Sequence, residues 1–178
     1  LLPYLIVLAA LATVWDQAPE RPLNPAAPLA WIGTHIVVSI ATYGLITLAA
    51  VAGLAAWIQG RALKAKTYSP LAKLLPSLAD SEALTMRLLA ISEAVLAVGL
   101  LTGIATYYLE TGRFFLIDHK TLFTVAVFIV VGILLFANVK WGVRGRAAVQ
   151  AVLLAYLLLT LGYPGVKFVT DIVMTRGS

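Results

Sequence analysis

Long apolar blocks separated by short polar stretches run through this chain. Residues 36–58, for example, are almost continuously apolar and rich in Ala and Leu. About 20 apolar residues in a helix are enough to cross a hydrocarbon core of about 30 Å. Strands of a membrane barrel would instead alternate apolar and polar positions over about ten residues. The pattern therefore predicts transmembrane α-helices.

We expect an all-α fold, a polytopic transmembrane helical bundle that forms a single domain over residues 1–178. About five membrane-spanning helices are predicted, at residues 1–15, 30–59, 82–109, 119–140 and 147–173. The same pattern predicts a proline-rich outer loop at 16–29, a second outer loop at 110–118, and a connector at 60–81 with a helix on the membrane surface. No Met or basic leader precedes the first block, so we expect the natural protein to extend further towards its N-terminus.

Composition and charge agree with a membrane protein. The chain is 61% hydrophobic and 12% charged, with a mean hydropathy of +0.96, well outside the range of soluble domains. Its net charge of +5 lies in the stretches between the apolar blocks, so it indicates topology and not nucleic-acid binding. Eight Lys and Arg residues fall in residues 60–87 and 140–146, against five on the other side. Since cytoplasmic loops carry the excess, we predict a multi-pass protein of the bacterial inner membrane with these two regions inside.

Two histidines are the candidate ligands for a metal. His35 and His119 both lie near the predicted outer ends of their helices. His35 begins a polar stripe that continues through Ser39, Thr42 and Tyr43 on one helix face. Two imidazoles at similar depth could hold one heme iron axially. Two alternatives stay open: His35 could be hydrogen-bonded to a neighbouring helix, and His119 could lie at a solvated helix start.

Other candidate sites are weaker. Glu93 puts a carboxylate inside the third span, where we expect it to face the bundle interior. Small residues spaced four apart, Ala49 with Gly53 and Gly99 with Gly103, predict close helix packing. The chain contains no cysteine, which excludes thiolate chemistry, and it contains no phosphate-binding loop, HExxH motif or nucleophile elbow. We therefore expect no enzymatic activity.

Several short motifs, taken in order, resemble the cytochrome c assembly protein family. They are Trp31-Ile-Gly-Thr-His35, Leu75-Pro-Ser-Leu78, Leu101-Thr-Gly103, Asp118-His-Lys-Thr121, the turn from Trp141 to Arg146, and Tyr163-Pro-Gly165. The family includes the heme-handling CcsA and CcmC proteins and the HemX and YpjD branches, and the likeness is greatest to the YpjD-type branch. The resemblance implies heme binding on the outer face, with His35 as one axial ligand. We expect the cofactor to be heme b, with His119 as a candidate second axial ligand of the iron and Tyr43, from the polar stripe, as a further candidate cofactor-binding residue.

The sequence also departs from the family pattern at two places. Residues 111–120 stand where CcsA and CcmC carry a tryptophan-rich heme-presenting motif, and Leu135 to Asn138 stand where a second family histidine is expected.

The sequence leads to one main functional hypothesis and one alternative. The main hypothesis is a membrane heme-binding or heme-handling protein that is accessory to c-type cytochrome biogenesis. Its expected partners are the lipid bilayer, heme, and other cytochrome-maturation or heme-synthesis proteins. The alternative is a non-catalytic scaffold or regulator that binds no heme, like the HemX branch, which is associated with control of heme synthesis. A small transporter has less support because no pair of broken helices meets at mid-membrane.

Overall fold

The computed structural model of the chain describes residues 28–66, 73–112 and 119–162, with the backbone alone at residues 110, 111, 119 and 120. These ranges form four α-helices and no strand. The helices are α1 at Leu29–Ala65, α2 at Leu78–Thr111, α3 at His119–Trp141 and α4 at Arg146–Thr160. The predicted all-α class is therefore confirmed.

Three helices of the described ranges are long and apolar enough to cross a membrane. They are Leu29–Ala65, Leu78–Leu109 and Thr121–Trp141, and each contains an 18-residue window with a mean hydropathy of 2.0, 2.1 and 2.7, respectively. Helix α4 has 15 residues, which at 1.5 Å per residue is about 22 Å, shorter than a hydrocarbon core of about 30 Å. The prediction of about five spans thus exceeds what the described ranges contain. Its first span, residues 1–15, and the end of its fifth, residues 163–173, lie outside them.

Helix α1 continues six residues beyond its predicted end at Gln59. Gly60 was expected to stop it, but one glycine costs a helix only about 1 kcal/mol. In the next turn the Arg61 guanidinium lies 4.9 Å from the centre of the Trp57 ring, a favourable cation–π contact. The helix ends where Lys66 takes a left-handed conformation with φ 52°.

Helix α2 begins four residues before the predicted start at residue 82. Ser77 is the N-cap: its hydroxyl accepts a hydrogen bond from the Asp80 amide at 3.2 Å and donates one to the Asp80 carboxylate at 2.6 Å. Such a cap satisfies an amide that the helix itself leaves unpaired. The other end of α2 is closed by Gly112 at φ 68°, whose N–H donates to the Tyr108 carbonyl.

The predicted connector at 60–81 is therefore shorter than expected, because helices occupy both of its ends. Of the surface helix predicted there, residues 73 and 74 are helical, and the residues before them lie outside the described ranges. Helix α3 starts where predicted and ends one residue later, at Trp141. A turn follows in which the Asn138 side chain donates to the Val143 carbonyl at 2.8 Å.

The four helices pack as a ring in the order α1, α2, α3, α4. Helix α1 packs on α2 and α4, and α3 packs on the same two helices, so α1 and α3 lie across the bundle from each other. His35 near the start of α1 meets Thr102 near the end of α2, and Tyr43 of α1 meets Leu159 at the end of α4. Helix α1 is therefore antiparallel to both neighbours. The buried core between the helices includes Ile46, Leu89, Val127, Val131, Val152 and Ala155.

Candidate functional site

His35 lies on the face of α1 that packs against α2. It is the seventh residue of α1, about 9 Å along the axis from the first at 1.5 Å per residue, and its side chain is half-buried. Its Nδ1 atom is 3.1 Å from the Thr102 hydroxyl oxygen of α2. The alternative that His35 is hydrogen-bonded to a neighbouring helix is therefore correct, but the bond occupies one ring nitrogen only.

The surroundings of Thr102 decide which nitrogen of His35 carries the proton. The Thr102 hydroxyl lies 2.9 Å from the Val98 carbonyl and 3.1 Å from the Gly99 carbonyl. A hydroxyl has a single hydrogen and two lone pairs. With its hydrogen directed to these carbonyls, Thr102 accepts the hydrogen bond from His35. We therefore assign the proton of the neutral ring to Nδ1, which leaves the lone pair on Nε2.

The Nε2 atom of His35 has no hydrogen-bond partner among the described residues. A neutral imidazole whose one nitrogen donates to a protein oxygen and whose other carries a lone pair is the usual state of a metal-binding histidine. The described residues hold no group of three or more His, Cys, Asp or Glu side chains that could bind a metal ion together. Ligation of a heme iron by His35 stays a prediction.

Gly103 provides the space that the His35 ring occupies. A Cβ atom at position 103 would lie 3.1 Å from Cε1 of His35 and 3.7 Å from its Nδ1. The ring therefore packs directly over the α2 backbone. The four-residue spacing of Gly99 and Gly103 predicted close packing, and Gly99 does pack on Val38 in this way. No sequence pattern predicts that Gly103 would pack against the candidate ligand.

The polar stripe that follows His35 is satisfied mainly within α1 itself. The hydroxyl of Ser39 donates to the His35 carbonyl at 2.7 Å, and that of Thr42 donates to the Val38 carbonyl at 2.9 Å. Tyr43 differs, because its hydroxyl donates to the Leu159 carbonyl of α4 at 2.6 Å. This contact joins α1 to the end of α4, so Tyr43 has a structural role. Its predicted role in cofactor binding stays a prediction.

His119 is the first residue of α3, and its side chain lies outside the described set. The helix contacts allow its height to be compared with that of His35. A Cβ at Gly132 of α3 would lie 3.1 Å from the Glu93 carboxylate of α2, and Gly103 is ten residues further along α2. Ten residues before Gly132, position 122 of α3 therefore lies at about the level of Gly103. Position 122 is three residues from His119, or about 5 Å at 1.5 Å per residue. The two histidines are thus on opposite helices at the same end of the bundle, and ligation by His119 stays a prediction.

Glu93 faces α3 near the middle of α2. Its Oε1 atom packs against Gly132, and its Oε2 atom is buried with no hydrogen-bond partner in the described part of the chain. The expectation that Glu93 turns towards the bundle is confirmed. Counted from Gly103, the carboxylate is ten residues, or about 15 Å, along α2 from the level of His35, so it belongs to a separate part of the molecule.

A cavity of about 180 Å³ lies at the opposite end of the bundle from His35. All four helices contribute to it, and the side chains of Glu82, Asn138 and Arg144 lie on its wall. Basic residues cluster at this end of the bundle, and Arg144 among them lines the cavity. They are Arg61, Lys64, Lys66, Lys73, Arg87, Lys140, Arg144 and Arg146. Their position at one end follows from the antiparallel packing and agrees with the charge asymmetry in the sequence.

Known proteins resemble this chain along nearly its whole length. The sequence model of the family described as Cytochrome C assembly protein matches residues 1–174. The chain is 55% identical over 174 residues to an uncharacterized 28.8 kDa protein, in the nifR3-like 5' region, of Azospirillum brasilense, covering 98% of the chain and 64% of that protein. It is 26% identical over 150 residues to Protein HemX of Brevibacillus brevis, covering 83% of the chain and 55% of that protein.

The chain thus spans less than two thirds of the length of either relative. No solved structure matches it. The greater likeness to the YpjD-type branch stays a prediction.

Proposed function

Because the chain belongs to the cytochrome c assembly protein family, we propose that it is a membrane heme-binding protein, accessory to c-type cytochrome biogenesis, in which His35 binds the iron of one heme b. The proposal makes the protein a handler of heme and not an enzyme. Its place would be the inner membrane of a bacterium, with the His35 end of the bundle on the outer side. Its partners would be other proteins of cytochrome maturation or heme synthesis.

One observation carries the proposal: the Nε2 atom of His35 has no partner among the described residues, while Nδ1 is bonded to Thr102 at 3.1 Å. A polar ring atom without a partner is costly in a lipid environment. A ligand that accepts the Nε2 lone pair removes that cost. Because Gly103 has no side chain, the His35 ring can lie against α2. Its Nε2 atom is not engaged in a second hydrogen bond with the described residues.

The residues around His35 would hold and orient the group. His35 would supply one axial nitrogen, and His119, across the bundle at the start of α3, is the candidate for the second. The apolar side chains between these helices would contact the macrocycle and exclude water. A heme b bound in this way supplies an iron centre whose reduction potential depends on its axial ligands and on its burial.

The test is a visible absorption spectrum of the purified full-length protein, oxidised and dithionite-reduced, compared with His35→Ala and a matched control. Ser39→Ala is the control, because Ser39 lies one turn away and its hydroxyl bonds only within α1. We expect a sharp reduced α-band in the wild type and in Ser39→Ala, and its loss in His35→Ala. A wild-type protein that stays colourless after heme is added would contradict the proposal.

The competing candidate is a scaffold or regulator that binds no heme. The likeness to Protein HemX and the basic end of the bundle favour it, since clustered Lys and Arg can bind an acidic surface. In that case the basic residues, and not His35, would be essential. The assay is complementation of cells in which the gene for this protein is deleted. Replacing Arg61, Lys64 and Arg144 by Gln should then abolish complementation, whereas His35→Ala should retain it. The heme-binding proposal predicts instead that His35→Ala no longer complements.

A further inference from the structure

We propose that Thr102 is the positioning residue of the heme site: its hydroxyl fixes the tautomer and the orientation of His35 so that Nε2 faces the iron. This inference rests on the proposed function, because it describes how the same site is prepared. Thr102 does not itself touch the heme. It acts through His35, as the outer partners of metal-binding histidines commonly do.

The argument starts from the shielding of the Thr102 hydroxyl. Its residue is 6% exposed, so water does not compete for its lone pairs. The hydroxyl lies within hydrogen-bond distance of two carbonyls of its own helix, at Val98 and Gly99. These contacts fix its direction, and the oxygen is left as an acceptor at 3.1 Å from Nδ1 of His35.

The consequence for His35 is electrostatic as well as geometric. A free neutral histidine can carry its proton on either nitrogen, and a proton on Nε2 would block iron binding. The Thr102 acceptor stabilises the proton on Nδ1.

Residues 102 and 103 act together on the same ring. Thr102 supplies the hydrogen-bond acceptor, and Gly103 supplies the space, because a Cβ there would lie 3.1 Å from Cε1 of His35. Helix α2 thus fixes the ring from one side by two adjacent residues. Nε2 would lie 3.9 Å from the same Cβ position, and it is the ring nitrogen that remains for the ligand.

The experiment measures heme affinity by titrating the apoprotein with hemin, in full-length wild type, in His35→Ala and in four further variants. Thr102→Val removes the acceptor at nearly constant shape, and Thr102→Ser keeps it. Thr106→Val is the matched control, since the Thr106 hydroxyl donates to the backbone carbonyl of Thr102 and not to histidine. We expect Kd to rise about 10–100-fold in Thr102→Val, the usual effect of losing such a partner. It should stay close to the wild-type value in Thr102→Ser and Thr106→Val.

The fourth variant combines His35→Ala with Thr102→Val. It distinguishes a role of Thr102 in positioning His35 from an effect of Thr102 on the stability of the whole protein. If Thr102 acts through His35, adding Thr102→Val to His35→Ala leaves the affinity unchanged, because interacting residues are not additive. Additive losses, or a Thr102→Val protein that binds heme like the wild type, would overturn this inference while the proposed function stands. A wild type that binds no heme would overturn both.

Discussion

Gly103→Ala tests whether the close packing of His35 on α2 matters for heme binding. A Cβ at position 103 would lie 3.1 Å from Cε1 of His35, whereas ordinary contacts begin at 3.4 Å. The ring must therefore retreat by 3.4 − 3.1 = 0.3 Å or more. If this movement is directed away from Thr102, the distance from Nδ1 to the Thr102 oxygen grows from 3.1 Å to about 3.4 Å. That is beyond the usual N–H···O range of about 2.7–3.2 Å.

The matched control is Gly99→Ala, one turn earlier on α2. A Cβ there would lie 3.3 Å from Cγ1 of Val38, a similar crowding against an apolar side chain. Alanine favours a helix over glycine by about 0.5–1 kcal/mol, and overpacking costs about 1–3 kcal/mol. The two variants should therefore have similar stabilities, with a net loss of at most about 2 kcal/mol.

The assay combines hemin titration with thermal unfolding in the same detergent. Gly103→Ala should raise the heme Kd on the order of ten-fold, the lower end of the range for disturbing a partner of a metal ligand. Gly99→Ala should leave the Kd within about three-fold of the wild type, since alanine keeps the backbone carbonyl near Thr102 and its Cβ meets Val38 and not His35. Equal affinities in the two variants, at equal stability, would refute the role given to Gly103.

Two further predictions concern the contacts of α4. Tyr43→Phe removes the hydrogen bond to the Leu159 carbonyl, at 2.6 Å, and should lower the free energy of unfolding by about 0.5–1.5 kcal/mol; an unchanged unfolding midpoint would show that the contact contributes nothing. Gly162→Ala places a Cβ 2.7 Å from Cβ of Phe123, which α3 and α4 must separate to accommodate, so it should destabilise by about 1–3 kcal/mol. Phe123→Gly removes that Cβ, so Gly162→Ala should cost less stability in a Phe123→Gly background than in the wild type; an equal cost in both backgrounds would contradict that explanation.

The sequence predicted the helices well where hydrophobic length decides them, and less well at their ends. The end of α1 was placed too early because Gly60 and Arg61 look like a boundary, although the Arg61 contact with Trp57 lets the helix continue. The predicted start of α2 is too late because the pattern assigns the polar residues Asp80 and Ser81 to the connector. The Ser77 cap explains these residues as the first turn, and Ser followed three residues later by an acidic residue is a recognised helix-start pattern.

The candidate site was only partly predictable. His35 could be chosen because an ionisable residue in an apolar helix is a functional candidate. Its partner Thr102 is 67 residues away, and no local spacing connects the two positions. The polar stripe that begins at His35 predicts a face turned to the bundle or to a cavity, and Thr42 is indeed buried. The hydroxyls of Ser39 and Thr42 nevertheless bond to carbonyls of their own helix. Hydrophobic patterns specify which face is buried, but the side-chain pairing across two helices depends on their register.

The most direct test of the central claim is the heme content of the full-length protein, isolated from membranes without added heme and compared with His35→Ala isolated in parallel. The account predicts about one heme b per wild-type chain, in keeping with one axial site of this kind, and little or none in His35→Ala. A wild-type protein that contains no heme and takes up none, or a His35→Ala protein with as much heme as the wild type, would contradict it.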